Sequence, residues 1–135
     1  DPYCWAATDG ARAQAVVWDW RTPAQTASNR SYFGKPQPSQ PAGTVALQWQ
    51  HLAPGRYRLR QHRTGYHAND AHTAYLEWGS PDALDARQLA ELHRLTADTP
   101  ELQREVQVGP DGGASVTLTL RSHDVVGLSL ERVGA

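Results

Sequence analysis

Hydrophobic and polar residues alternate along most of this chain, and that alternation is the pattern of half-buried β-strands. In the first 20 residues, Asp9-Gly10 provides a turn between two alternating runs at residues 3–7 and 16–20. A short turn between two such runs predicts a β-hairpin.

The pattern returns in the middle of the chain. Alternating runs at residues 45–49 and 57–59 flank Pro54-Gly55, which predicts a second hairpin. Between the two hairpins, residues 21–43 contain four prolines among Gln, Ser, Thr and Gly. This composition indicates a long irregular loop that is either mobile or held by a neighbour.

The C-terminal third repeats the theme. The turn "GPDGG" at residues 109–113 lies between runs at 106–108 and 116–120, and a last run covers 126–130. These segments predict a third hairpin and a final strand. Together, the runs predict a mainly β fold, an antiparallel β-sandwich of about seven to nine strands.

One short helix is predicted over residues 85–97. Asp85 is a suitable N-cap, and Gln88 falls at the third helical position, which completes a capping box. Leucines 84 and 89 have the spacing of a hydrophobic staple, and Pro100 prevents the helix from continuing. Local structure therefore explains the charged residues of this segment.

Length and composition limit the classes of protein. A chain of 135 residues suits one domain, residues 1–135, and is too short for a (β/α)8 barrel of about 250 residues. A net charge of −1 gives no long-range attraction for nucleic acid or an acidic membrane, so we expect neither partner. The single Cys4 forms no internal disulfide, and we interpret it as a small buried hydrophobic residue.

The acidic residues of "HTAYLEWGSPDALDARQLAELHRL" (72–95) are the first candidates for chemistry, because glycoside hydrolysis uses two converging carboxylates. We interpret Asp85 as a cap, Glu91 as a solvated helix position and Asp82 as a turn residue. These three residues and Glu77 are the four candidates for such a pair, and we predict that none is catalytic.

Histidines 62, 67 and 72, with Asp70, have no metal-ligand spacing, so we predict no metal site and no cofactor. His93 and His123 are expected to bond to backbone at the surface. Ser80 lacks the glycine that a nucleophile elbow requires two positions later. No catalytic residue is predicted from these groups.

Arginines 56, 58 and 60 alternate along one strand, so they lie on one sheet face that meets either water or a partner's carboxylates. Tryptophans offer a second surface. Trp18, Trp20 and Trp49 either belong to the core or form a flat platform on which a sugar stacks.

The order of elements resembles the C-terminal β-sandwich of family 39 glycoside hydrolases, the group of β-xylosidases and α-L-iduronidase. The resemblance rests on the strand "DGARAQAVVWDW", the hairpin "LAPGRYRLRQHR", a Tyr/Trp-containing loop, Gly79-Ser80-Pro81, the helix "DARQLAELHRL" and the strands "TPELQREVQV" and "VVGLSLERV". The stretch before Gly79 is a few residues shorter than in the xylosidases, and residues 21–43 resemble nothing general.

The resemblance implies a catalytic (β/α)8 barrel elsewhere in a parent chain, whose acid/base is a Glu directly after an Asn. Here Asn29 precedes Arg30 and Asn69 precedes Asp70, so no catalytic residue carries over. We therefore expect a non-catalytic domain cut from a bacterial enzyme. The sequence shows no signal peptide or membrane span and leaves the localisation open between cytoplasm and periplasm. The predicted barrel contacts are Tyr66, His72, Tyr75, Trp78, Ser80 and Pro81. The alternative is an independent carbohydrate-binding module.

Overall fold

A computed structural model describes residues 3–21, 28 and 30–134 of the chain. Seven strands occur in these residues, within the predicted range. They are β1 (Tyr3–Thr8), β2 (Arg12–Trp18), β3 (Pro41–Trp49), β4 (Gly55–Thr64), β5 (Leu102–Val108), β6 (Ala114–Arg121) and β7 (Val125–Arg132). Three helices accompany them: α1 (Arg30–Phe33), α2 (Ala71–Glu77) and α3 (Ala86–Leu95).

The strands form two antiparallel sheets, which confirms the predicted β-sandwich class. One sheet has the order β1-β2-β7-β4-β5, and the other pairs β3 with β6. Every second residue of β2, β4, β6 and β7 is buried, because those side chains point between the sheets. The core contains Ala13, Ala15, Val17, Trp49, Leu52, Tyr57, Leu59, Val108, Val116, Leu118, Leu120, Val126, Leu128 and Leu130.

The first predicted hairpin is correct, whereas the second and third are wrong. Strands β1 and β2 pair around Asp9-Gly10. Strand β3 pairs with β6 and not with β4, and β5 pairs with β4 and not with β6. Both turns are arches that carry the chain from one sheet to the other. Alternation specifies which face of a strand is buried, and an arch satisfies it as well as a hairpin does.

The two arches pack against each other. The Leu52 amide donates to the Gly112 carbonyl at 3.0 Å. Gly112 has φ +68°, and a Cβ there would lie 2.8 Å from the Leu52 carbonyl oxygen. Glycine is required at this position because another residue would meet both backbone strain and a collision.

The β1–β2 turn lies at the same end of the sandwich as the two arches, and Tyr57 holds it there. Its hydroxyl lies 3.0 Å from the Gly10 carbonyl oxygen and 2.9 Å from that of Ala53. A tyrosine near the start of a strand that bonds four residues upstream has the geometry of a tyrosine corner. The side chain thereby connects the β1–β2 turn to the β3–β4 arch.

Helix α3 follows the prediction. Asp85 accepts from the Gln88 amide at 2.8 Å, and the Gln88 side chain accepts from the Asp85 amide at 3.0 Å, so the capping box is complete. Leu84 and Leu89, the two leucines with staple spacing, are both exposed. No helix of the described residues is long and apolar enough to cross a membrane.

The prediction of a single helix is incomplete. Residues 71–77 form α2, whose N-cap Asp70 accepts from the Thr73 amide at 2.9 Å. In the predicted loop 21–43, α1 covers Arg30–Phe33 and β3 begins at Pro41. Residues 22–27 and 29 of that loop lie outside the described part of the chain.

Candidate interaction surface

The acidic candidates have local roles. Asp85 is the cap of α3, and Asp82 is exposed in the turn before it. Glu91 accepts two hydrogen bonds from Arg94, which lower the pKa of its carboxyl group and raise that of the guanidinium. Glu77 pairs with His67 at 3.0 Å. This arrangement has the features of a solvated helical region.

Two of the three candidate histidines also pair with single neighbours and do not converge on one site. His62 contacts the Asp98 carboxylate at 3.0 Å, and His67 contacts Glu77. No group of three or more His, Cys, Asp or Glu side chains with the geometry of a metal site occurs in the described residues. His72 instead lines a pocket with Asp70 and His123.

The most deeply buried charges neutralise one another. Asp124 accepts from the Arg63 guanidinium and, at 3.0 Å, from that of Arg121. Arg63 also donates to Glu101 and to the Thr119 carbonyl at 3.0 Å. A paired and hydrogen-bonded cluster of this kind is structural, because its charges are already satisfied.

Three interpretations of single residues need correction. Trp49 is 6% exposed in the core and cannot share a platform with Trp18 and Trp20. Cys4 is exposed because the whole of the edge strand β1 is exposed. His123 does not bond to backbone: its Nε2 lies 2.8 Å from the Tyr32 hydroxyl, and its Nδ1 is buried without a partner in the described structure.

The outer face of the five-stranded sheet presents aromatic side chains on β1 and β2. Tyr3 stacks on Trp18 with ring centroids 5.7 Å apart, and Trp5 meets Trp18 edge-on at 5.5 Å. Val16 and Val125, cross-strand neighbours of Trp5 and Trp18, are also exposed. We call Tyr3, Trp5, Val16, Trp18 and Val125 the aromatic face.

A pocket of about 170 Å³ continues this surface beyond the ends of β2 and β4. Trp20 forms its edge, packing on Phe33 and, edge-on, on His123, each with ring centroids 5.9 Å apart. We call it the His123 pocket. Its other walls come from Tyr32, Lys35, Gln37, Thr64, Gly65, Tyr66, Asp70, His72, Thr73 and Leu76.

The residues predicted to contact a barrel separate into two places. Tyr66 and His72 line the His123 pocket. The Tyr75 hydroxyl donates to the Pro81 carbonyl at 3.2 Å. Trp78 caps α2 and borders a groove along α3, and Ser80 is exposed in the same bend. A role of these six residues in interdomain contact stays a prediction.

The arginine stripe lies at the opposite end of the same sheet face. Arg56, Arg58 and Arg60 alternate along β4. Arg60 pairs with Glu131 at 3.0 Å, and Arg56 approaches Glu105 at 3.6 Å. Carboxylates of this chain therefore meet two of the three arginines.

The fold and this surface define a class of protein, a two-sheet β-sandwich with a hydrophobic core, one buried and paired charge cluster and one apolar surface. Among solved structures, the family 39 (GH39) enzyme from Xanthomonas axonopodis pv. citri is 40% identical, with a TM-score of 0.88 over 97% of this chain and 26% of that one. A monomeric β-xylosidase from Caulobacter crescentus CB15 is 39% identical, with a TM-score of 0.86 over the same shares.

A bacterial orthologue of human α-L-iduronidase shares the fold, with 17% identity and a TM-score of 0.70 over 99% of this chain and 22% of that one. No family model and no curated protein matches the sequence. The resemblance to the C-terminal β-sandwich of family 39 glycoside hydrolases is confirmed. The chain spans about a quarter of the length of these enzymes.

Proposed function

We propose that this chain is a non-catalytic accessory domain of a retaining glycoside hydrolase of the β-xylosidase type. It packs on the (β/α)8 catalytic barrel of the same parent chain and stabilises it. The observation that carries the proposal is the match of 97% of this chain to 26% of two GH39 enzymes at 39–40% identity.

The chemistry of the described residues supports a non-catalytic role. A retaining glycosidase needs two carboxyl groups about 5 Å apart across one bond, with the acid kept protonated by an apolar setting. Here the buried Asp124 is neutralised by two arginines, and Glu77 and Glu91 pair with neighbours at the surface. Each of these carboxylates is therefore already engaged by a basic side chain of this chain.

The test compares the purified 135-residue chain with its full-length parent on an aryl β-xyloside that releases nitrophenol. We expect hydrolysis by the parent and none by the chain. Hydrolytic activity that co-purifies with the 135-residue chain and disappears in its Glu77→Gln variant would overturn the proposal. A full-length parent without activity on the aryl xyloside would refute the xylosidase assignment. Glu131→Gln, at the far end of the sheet, is the matched control.

A second function has one observation in its favour. Trp20 is 63% exposed at the edge of an aromatic pocket, and flat aromatic rings stack on sugar rings. An independent carbohydrate-binding module would therefore use Trp20. Titration with xylo-oligosaccharides should then change the Trp fluorescence of the wild type and not of Trp20→Ala. No response at millimolar sugar rejects this function.

A further inference from the structure

The strand register arranges the outer face of the five-stranded sheet in rows. Trp18 lies between Tyr3 on β1 and Val125 on β7, and Thr64 of β4 follows Val125 in the same row. Thr64 also lines the His123 pocket. The aromatic face and the pocket are therefore neighbours and form one continuous surface.

The next rows show how this surface ends. Val16 lies between Trp5 and Gly127, and Gly127 has open space where a side chain would stand. Two rows further on, Arg12 and Arg58 flank Glu131. One sheet face thus changes from aromatic to charged along its strands.

The apolar end is large for a surface that faces water. Tyr3 is 62% exposed, Trp5 76% and Trp20 63%. With about 200 Å² for each aromatic side chain, these three alone expose on the order of 400 Å². That area already matches the largest patch of a typical monomer, and one side of an interdomain interface covers roughly 300–750 Å².

We propose that the aromatic face and the His123 pocket are the surface on which the catalytic domain of the parent chain docks. This inference rests on the proposed function and deepens it by naming the contact. We name the catalytic domain as the occupant because similar enzymes have about three quarters of their chain outside the matched segment, and that remainder is available to cover this surface. The contact is intramolecular, so a large apolar surface is permanently covered.

The His123 pocket indicates what kind of side chain the catalytic domain contributes at this part of the contact. The exposed surface of its walls is mainly apolar, and its volume of about 170 Å³ accommodates one large side chain. We therefore expect the barrel to insert an apolar side chain here.

The charged end of the sheet stays outside the contact. Arg60 already pairs with Glu131, and covering such a pair would require removal of its water without a new partner. Arg58, on the same strand and the same face, is therefore a control position for the aromatic residues.

Hydroxyl-radical labelling, read by mass spectrometry, tests the contact in the isolated 135-residue chain and in the full-length parent. In the parent, we expect oxidation of Tyr3, Trp5 and Trp20 to fall by about five-fold or more, because the centre of an interface excludes water. Labelling of Tyr75 and Trp78 should be equal in both proteins.

The outcomes separate the two proposals. Protection of Tyr75 and Trp78 in place of the aromatic face would show that the domain packs on the barrel through another surface, which refutes this inference and leaves the proposed function intact. Protection nowhere would refute both. Protection that grows with the concentration of the isolated chain would identify a second copy as the occupant and overturn the inference.

Two substitutions give a second readout. Trp5→Ser should lower the melting temperature of the parent by clearly more than that of the isolated chain, which loses only the edge-on contact with Trp18. Arg58→Ser should change neither protein. A Trp5→Ser parent that melts with the wild type would contradict the inference.

Discussion

Replacing Asp124 with Asn tests whether the buried charge cluster stabilises the fold. The Asp124 side chain is fully buried and accepts from Arg63 and from both the amide and the guanidinium of Arg121. Asparagine keeps the size of the side chain, but it removes the negative charge and turns an NH₂ group toward a cation. The Arg63 side chain, 7% exposed, then loses its closest counter-charge.

The loss of stability in Asp124→Asn depends on the hydrogen-bond partners that Arg63 and Arg121 retain. Removing one partner of a buried ion pair destabilises a protein by about 3–5 kcal/mol. Arg63 keeps Glu101 at 3.0 Å and the Thr119 carbonyl, and the partly exposed Arg121 can regain water. We therefore expect the low end, about 3 kcal/mol, which is roughly a 10 °C lower melting temperature for a chain of this size.

Urea unfolding followed by Trp fluorescence measures the difference. The midpoint of Asp124→Asn should fall while the slope stays the same, because the surface exposed on unfolding is unchanged. Glu105→Gln is the control: it removes the partner of Arg56 from an exposed pair at 3.6 Å, and about 0.5 kcal/mol or less should be lost. An Asp124→Asn variant within about 1 kcal/mol of the wild type would refute the reasoning.

Three smaller predictions follow. Tyr57→Phe should lose about 1 kcal/mol in urea unfolding, because it removes the one hydroxyl proton that the Gly10 and Ala53 carbonyls share; an unchanged midpoint would contradict it. Asp85→Ala should reduce hydrogen-exchange protection of α3 by about 1 kcal/mol, whereas Asp85→Ser should retain most of it. Backbone donors from Arg12 and Ala11 lower the pKa of Asp9 below 3.8, so its stabilising contribution is complete above pH 3.8 and declines as pH falls through the folded pKa. An NMR titration midpoint at or above 3.8 would be inconsistent with this.

Local features of the fold were predictable from the sequence, and long-range pairing was not. The capping box of α3 needs only residues three positions apart, so Asp85 and Gln88 identify it directly. Alternation in β3 and β4 identified their buried faces, but not their partners, which lie far along the chain. Helix α2 escaped prediction because it is short and only Thr73 in it is buried.

The interaction surface was less predictable for the same reason. Tyr32 and His123 are 91 positions apart, and the pairing of β3 with β6, in which Pro41 lies opposite Arg121, brings their segments together. One local feature was informative. Ala13, Ala15 and Val17 form the buried face of β2, which places Val16 and Trp18 on the outside. The hydrophobic side chains of Val16 and Trp18 suggested a place in the core, whereas their positions in the alternating pattern of β2 suggested a place on the outer face.

The edge position of β1 links the aromatic face to the proposed accessory role. An exposed edge strand with large hydrophobic side chains favours association, and free-standing proteins usually protect such edges with charges, proline or a covering segment. Here β1 is an edge of the five-stranded sheet and presents Tyr3 and Trp5 to solvent. The other half of the sheet face holds paired charges at Arg60 and Glu131. If the aromatic end of this sheet face is covered by a permanent apolar neighbour and the charged end faces water, the composition of both ends is explained. A freely diffusing sugar-binding module would account only for the pocket.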